Sequence, residues 1–138
     1  RKKHFEGMLT IVLKLLLLVK PKDAYFGEKD YQQYILVKNM VEAFFIDTNI
    51  IVCPIVRDSD GLALSSRNRR LSKEDRVKAA IFPKLLHSKK SCEQVKTELK
   101  KSGFKVDYIQ EFNHRRFGAV TIGNVRLIDN CTLENTLF

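Results

Sequence analysis

Two polar segments carry residue types suited to a phosphorylated substrate: Tyr25-Phe26-Gly27-Glu28-Lys29-Asp30-Tyr31-Gln32-Gln33 and Gly61-Leu62-Ala63-Leu64-Ser65-Ser66-Arg67-Asn68. The first reads as a short apolar strand, a glycine turn and a helix start. A glycine at the carboxyl end of a strand, followed at once by a helix N-terminus, lets backbone N–H groups face an anion. In open α/β sheets that edge is where nucleotides bind. A lysine in the first turn of a helix, as expected at Lys29, opposes the helix dipole by roughly 0.3–1 kcal/mol unless an anion also sits there. Asp30 offers a carboxylate to a ribose hydroxyl or to Mg²⁺ carried on phosphate. Gln33 follows Lys29 by four residues, which on a helix puts both side chains on one side. The competing account of this segment is an exposed polar turn in which Asp30 answers the dipole.

In the second segment Ser65 and Ser66 supply hydroxyls, and Arg67 a rigid guanidinium suited to bidentate phosphate contacts. Composition alone also fits a flexible surface linker. Nothing here is a Walker loop, since the chain contains no Gly-x-x-x-x-Gly-Lys.

The elements that position these segments follow from periodicity. Phe5 to Val19 is nearly continuous apolar sequence, expected as a buried helix that Pro21 ends. Asp23 to Phe26 is a strand, and a helix follows from about Lys29 to Phe45 with Tyr34, Val37, Val41 and Phe44 or Phe45 as its core face. Asn49 to Cys53 is β-branched and apolar, expected as a buried strand stopped by Pro54. The order helix–strand–helix–strand predicts a parallel crossover. Beyond the Asp58-Ser59-Asp60-Gly61 turn signal, Ser72 and Ser91 cap two helices, the second through a Ser-x-x-Gln capping box, and Gly103 closes it. About three antiparallel strands then run from Phe104, the last two joined by Gly123-Asn124. The domain boundary falls near Val56 to Leu71.

Composition sets the outer limits. The 138 residues suit one domain or one and a half, and 44% hydrophobic with 30% charged residues is a globular balance. A net charge of +9 favours an anionic partner, a nucleic acid or a phosphorylated small molecule, although most of the lysines read as solvated helix faces. Cys53, Cys92 and Cys131 lack zinc-ligand spacing and fit reduced thiols in a cytosolic protein. The apolar run from Met8 to Val19 is shorter than the about 20 residues that span a bilayer, and no signal peptide precedes it. The start at Arg1 without methionine suggests a fragment or a processed chain.

The two segments, with their flanks, resemble the pantothenate synthetase family, the pantoate–β-alanine ligases. The matching pieces are Arg1-x-x-His4-Phe5-x-Gly7, Phe26 to Gln33, Val56-Arg57-x-x-Asp60-Gly61-Leu62-Ala63-Leu64-Ser65-Ser66-Arg67-Asn68-x-x-Leu71, Asp107-Tyr108-Ile109, and Val125-Arg126-Leu127-Ile128-Asp129-Asn130. The likeness runs from Arg1 to Asn130, and the two long motifs are its specific part. It implies an α/β fold: part of a Rossmann-like nucleotidyltransferase parallel sheet over residues 1–56, then a small α+β lid domain over 57–138 that includes the Ser-Ser-Arg loop.

The family condenses pantoate with β-alanine, using ATP and Mg²⁺, through a pantoyl-adenylate, and releases pyrophosphate and AMP. By resemblance, Gly27, Glu28, Lys29 and Asp30 hold ATP, with Lys29 on phosphate oxygens and Asp30 near the ribose or the metal. Gln33 bonds pantoate, and Val56 lies beside the adenine. Leu64, Ser65, Ser66 and Arg67 form the mobile loop that closes on the triphosphate, Leu64 standing where the family usually has Met. Lys29 and Arg67 are the catalytic candidates. The resemblance further implies a cytoplasmic homodimer in the complete protein.

The family's His-x-Gly-His motif is absent from these residues; His87 and His114 read as surface or structural groups, and His4 as a helix-entry residue. The chain alone is therefore expected to lack ligase activity. The competing functions are a basic nucleic-acid-binding module, for which no recognisable motif speaks, and a non-catalytic ligase remnant.

Overall fold

The computed structural model describes residues 2–133, with side chains from His4 onward. Arg1 of the first matching piece lies outside the described residues. The chain divides into two compact units, Arg1–Ile55 and Val56–Phe138.

The first unit runs α1 (Lys2–Val19), β1 (Asp23–Gly27), a 3₁₀ turn (Glu28–Asp30), α2 (Tyr31–Ala43) and β2 (Asn49–Cys53). β1 and β2 pair in parallel, from Asp23 opposite Asn49 to Gly27 opposite Cys53. The register is pinned at its start. Thr48 Oγ1 donates to the Pro21 carbonyl at 2.8 Å, Asn49 N–H to the Lys22 carbonyl at 2.8 Å, and Asn49 Nδ2 to Asp23 Oδ1 at 2.9 Å. Leu16, Val37, Met40 and Val41 form the core, with Met8, Val12, Leu13, Ala24, Phe26 and Ile50 packed against it.

Three expectations fail in this unit. α1 is not buried: one stripe packs on α2, while Ile11, Leu15, Leu17, Leu18 and Val19 are exposed. β2 is only half-buried: none of its five residues is fully buried, and Asn49 and Val52 are exposed. Phe44 and Phe45 are not core residues, and Phe45 is 95% exposed. The helix stops at Ala43, and the chain leaves through a Schellman turn in which Phe45 N–H bonds the Glu42 carbonyl and Ile46 N–H the Val41 carbonyl. Phe45 occupies the left-handed position (φ +51°) that glycine usually takes, so the helical period never reaches it. No described helix is long and apolar enough to cross a membrane.

The second unit opens with a tight hairpin-like segment, then a 3₁₀ turn (Ser66–Arg70), α3 (Lys73–Ala79), α4 (Ile81–Leu86), α5 (Cys92–Lys101) and the antiparallel sheet β3 (Lys105–Phe112), β4 (Arg115–Ile122), β5 (Val125–Thr132). There are three helices here where two were expected. Pro83 has no N–H to give the Ala79 carbonyl, so the helix starting at Lys73 breaks at Ala80 into α3 and α4. The caps form as the sequence implies. Ser72 Oγ accepts from Asp75 N–H, Ser91 and Gln94 close a full capping box, and Gly103 (φ +88°) sits in a Schellman turn that buries Phe104. Phe82, Leu86, Val95 and Leu99 of the helices pack on Ile109, Val120 and Leu127 of the sheet. Gly118 on β4 makes room for this layer, since a Cβ there would lie 2.9 Å from both Leu86 and Phe82 side chains.

Candidate functional site

The described candidates fall into two groups, one in each unit. In the first, Gly27 ends β1, Glu28, Lys29 and Asp30 make the 3₁₀ turn, and Gln33 lies in the first turn of α2. Lys29 therefore precedes the α-helix, and the expected i, i+4 pairing of Lys29 with Gln33 on one helix is not formed. The 3₁₀ turn intervenes because Asp30, at φ −94° and ψ 52°, is not helical. Asp30 stands at the N-cap of α2 yet makes no capping hydrogen bond, so its exposed carboxylate is not used to close the helix. Gly27 is extended (φ −72°, ψ 129°) rather than turned, and a Cβ built on it meets nothing within 4 Å. Nothing in the described chain requires glycine there. The missing side chain leaves open space at the carboxyl end of the strand.

The second group sits on a braced platform. Val56 to Leu64 folds back on itself: Leu64 N–H donates to the Val56 carbonyl at 2.9 Å, Asp58 N–H to Leu62 at 2.9 Å, and Arg57 bridges Ala63. Two arginines bolt this fold to the rest of the unit. Arg57 makes a bidentate pair with Asp129 of β5 (2.7 and 2.9 Å) and also donates to the Gly61 carbonyl at 3.0 Å. Asp129 is only 3% exposed, so the pair is shielded on its carboxylate side. Arg76 of α3 pairs with Asp58 at 2.7 Å and with Asp60. The Arg76 hydrogen bond, outweighing desolvation, holds the Asp60 carboxyl below its ordinary value.

From that platform Leu64, Ser65, Ser66 and Arg67 project. Ser65 caps the 3₁₀ turn, its Oγ accepting from Arg67 N–H at 3.3 Å. This loop is a capped turn, not a structureless linker. Leu64, Ser65 and Ser66 line an open cleft of about 910 Å³ together with Arg69, Lys73 and Arg76. Arg67 is exposed and has no carboxylate partner among the described residues. Val56, 66% exposed, keeps its side chain outside the platform.

The other ionisable residues behave structurally. Burial, and next the Arg57 charge, push the His87 imidazole below its usual value. Burial raises the Cys131 and Cys92 thiols, which keeps them protonated and poor nucleophiles at neutral pH. His114 lies exposed in a hairpin turn with Asn113, both at positive φ (56° and 47°), and His4 stacks obliquely on Phe5 with ring centroids 5.8 Å apart. No group of three or more His, Cys, Asp or Glu residues is placed to hold a metal among the described residues. The turn before α2 carries two carboxylates, Glu28 and Asp30, which suits Mg²⁺ arriving already bound to phosphate, since such an ion needs only one or two from the protein.

Sequence reading missed the two arginine braces. Their residues lie in or beside the matching pieces, but Arg57 and Asp129 are 72 positions apart, and only the folded sheet joins them.

The pantoate–β-alanine ligase family model matches residues 1–132. Pantothenate synthetases of Coxiella burnetii and Legionella pneumophila are 58% and 55% identical to the chain over 130 residues, 94% of it. The alignments cover 51% and 52% of those proteins, so the chain spans about half the length of the curated relatives it matches. Among solved structures, the pantoate–β-alanine ligase of Francisella tularensis, complexed with beta-gamma ATP and β-alanine, superposes with a TM-score of 0.87 at 48% identity, covering 94% of this chain and 50% of that one. The Thermus thermophilus pantothenate synthetase gives 0.83 at 35% identity, covering 94% and 56%. With the fold, the two long motifs and these matches in agreement, the chain belongs to the pantoate–β-alanine ligase family.

Proposed function

We propose that the chain supplies the nucleotide-holding turn and the phosphate-closing loop of an AMP-forming ligase that joins pantoate to β-alanine. A pantoate carboxylate oxygen attacks the α-phosphorus of ATP, the bond from that phosphorus to the β-bridging oxygen breaks, and pyrophosphate leaves. The amine of β-alanine then attacks the acyl carbon, the carbon–oxygen bond to AMP breaks, and the amine loses a proton. Adenylation is needed because a free carboxylate is a poor electrophile. Negative charge shifts through the phosphates in the first step, so fixed cations there stabilise the transition state more than the ground state.

In this reading Gly27 lets the nucleotide approach the backbone, and Glu28 and Lys29 lie along the phosphates. Asp30 takes the ribose or Mg²⁺, and Gln33 bonds pantoate. Val56 flanks the adenine, while Leu64, Ser65, Ser66 and Arg67 close on the triphosphate. Bound Mg²⁺ would neutralise phosphate charge. A cytoplasmic homodimer remains part of the reading. The observation that carries it is a braced turn that brings Ser65 and Ser66 to the cleft and carries next to them an exposed Arg67 with no carboxylate partner among the described residues.

The experiment is to supply the gene's full-length product with pantoate, β-alanine, ATP and Mg²⁺ and assay pantothenate and AMP. Equal amounts of both are expected, with none from the 138-residue polypeptide alone. Turnover by the short polypeptide, or none by the full-length product, would overturn the reading. Salt-sensitive binding to arbitrary DNA without ATP binding would favour a basic nucleic-acid module instead.

A further inference from the structure

The segment from Ala63 to Asn68 is tied at both ends. Ala63 is buried and bridged to Arg57, which is itself locked to Asp129. Asn68 returns to the segment twice: its backbone N–H donates to the Ser65 carbonyl at 3.0 Å, and its side-chain Nδ2 donates to the Ala63 carbonyl at 3.1 Å. Ser65, Ser66 and Arg67 are strung between these two fixed points. The direction of the Arg67 guanidinium therefore depends on the Asn68 carboxamide.

The same side chain also carries an unfavourable group. Its Oδ1 is buried without a hydrogen-bond partner among the described residues, and a buried acceptor with no donor is unfavourable. The carboxamide thus supplies a donor to the buried Ala63 while leaving its own acceptor unanswered.

We propose that Asn68 is a positioning residue for the adenylation step, holding Arg67 in the geometry that grips the leaving pyrophosphate. The inference rests on the phosphate-binding reading of the Ser65–Arg67 turn. Asn68→Asp keeps the shape but loses the donor and sets a carboxylate against the Ala63 carbonyl. Asn68→Ala removes the tether without adding a charge.

The test uses the full-length product and measures pantoate-dependent exchange of labelled pyrophosphate into ATP, with thermal unfolding alongside. Both Asn68 variants are expected to lower kcat roughly 10–100-fold, as a misplacement of about 1 Å does, with KM for pantoate unchanged. Because Asn68 acts through its neighbours, adding Asn68→Ala to Arg67→Ala should slow exchange no further than Arg67→Ala alone. Losses that multiply in the double variant, or an Asn68→Ala kcat within twofold of wild type while Arg67→Ala is impaired, overturn the inference and leave the phosphate-binding reading intact. Should Arg67→Ala itself be unimpaired, that reading falls, and the inference with it.

Discussion

At the residue scale, Gly27 separates what the chain needs for folding from what a ligand needs. Its dihedrals are those of an ordinary strand residue, and the space where a side chain would stand is open. Gly27→Val should therefore leave stability within about 0.5 kcal/mol, as surface substitutions usually do. If the nucleotide approaches there, the same variant should raise KM for ATP about tenfold or more, equivalent to about 1.4 kcal/mol of binding. Denaturant unfolding and ATP titration of rate check the two halves separately. A variant with unaltered KM would remove this position from the nucleotide's path. Asp30 makes a similar point: it sits where a helix cap belongs and makes no capping bond, which leaves its carboxylate for other work.

At the scale of elements, the helix layer and the sheet of the second unit meet with no slack at Gly118. A methyl group there would press on Leu86, Phe82 and Ile109 at 2.9–3.0 Å, and overpacking of this kind typically costs about 1–3 kcal/mol. Gly118→Ala should lose that much in chemical denaturation, and an unchanged midpoint would show that the layer can give. The Arg76–Asp60 pair adds a pH signature. The folded carboxyl is held below its unfolded value, so its stabilisation is present above the unfolded pKa of about 3.9 and is lost as pH falls through the lower folded value. Melting temperature should thus decline as pH drops below about 4, and less steeply in Asp60→Asn. Equal slopes in the two proteins would contradict this.

What was legible in the sequence were features whose causes are local. Ser72, the Ser91–Gln94 box, Gly103 and the Gly123-Asn124 hairpin each act within a few residues, and each stands where the pattern puts it. The crossover was legible too, from two apolar strands flanking a helical period. Burial was not. Hydrophobicity marked α1, β2 and Phe44-Phe45 as interior, but exposure depends on what packs against a face, and periodicity carries no record of that. The same limit hid the arginine braces. At the site, the residue types of the two turns were evident, while the 3₁₀ start that displaces Lys29 from α2 turned on the backbone angles of one residue, Asp30.

At the scale of the whole molecule, the candidate residues belong to two separately packed units, and the chain spans about half the length of its curated relatives. The proposed chemistry asks the turn of the first unit and the loop of the second to hold one nucleotide. The braces bear on how the second could do so: with Arg57 and Arg76 fixing the platform, Ser65 to Arg67 would approach the phosphates with its unit behind it rather than as a loose flap. The most direct test is pantoate-dependent pyrophosphate–ATP exchange by the full-length product carrying Lys29→Ala or Arg67→Ala. Loss of one preorganised electrostatic contact predicts exchange slower by about 10²–10³ in each. Wild-type exchange in either variant would contradict the claim that both segments grip the same phosphates.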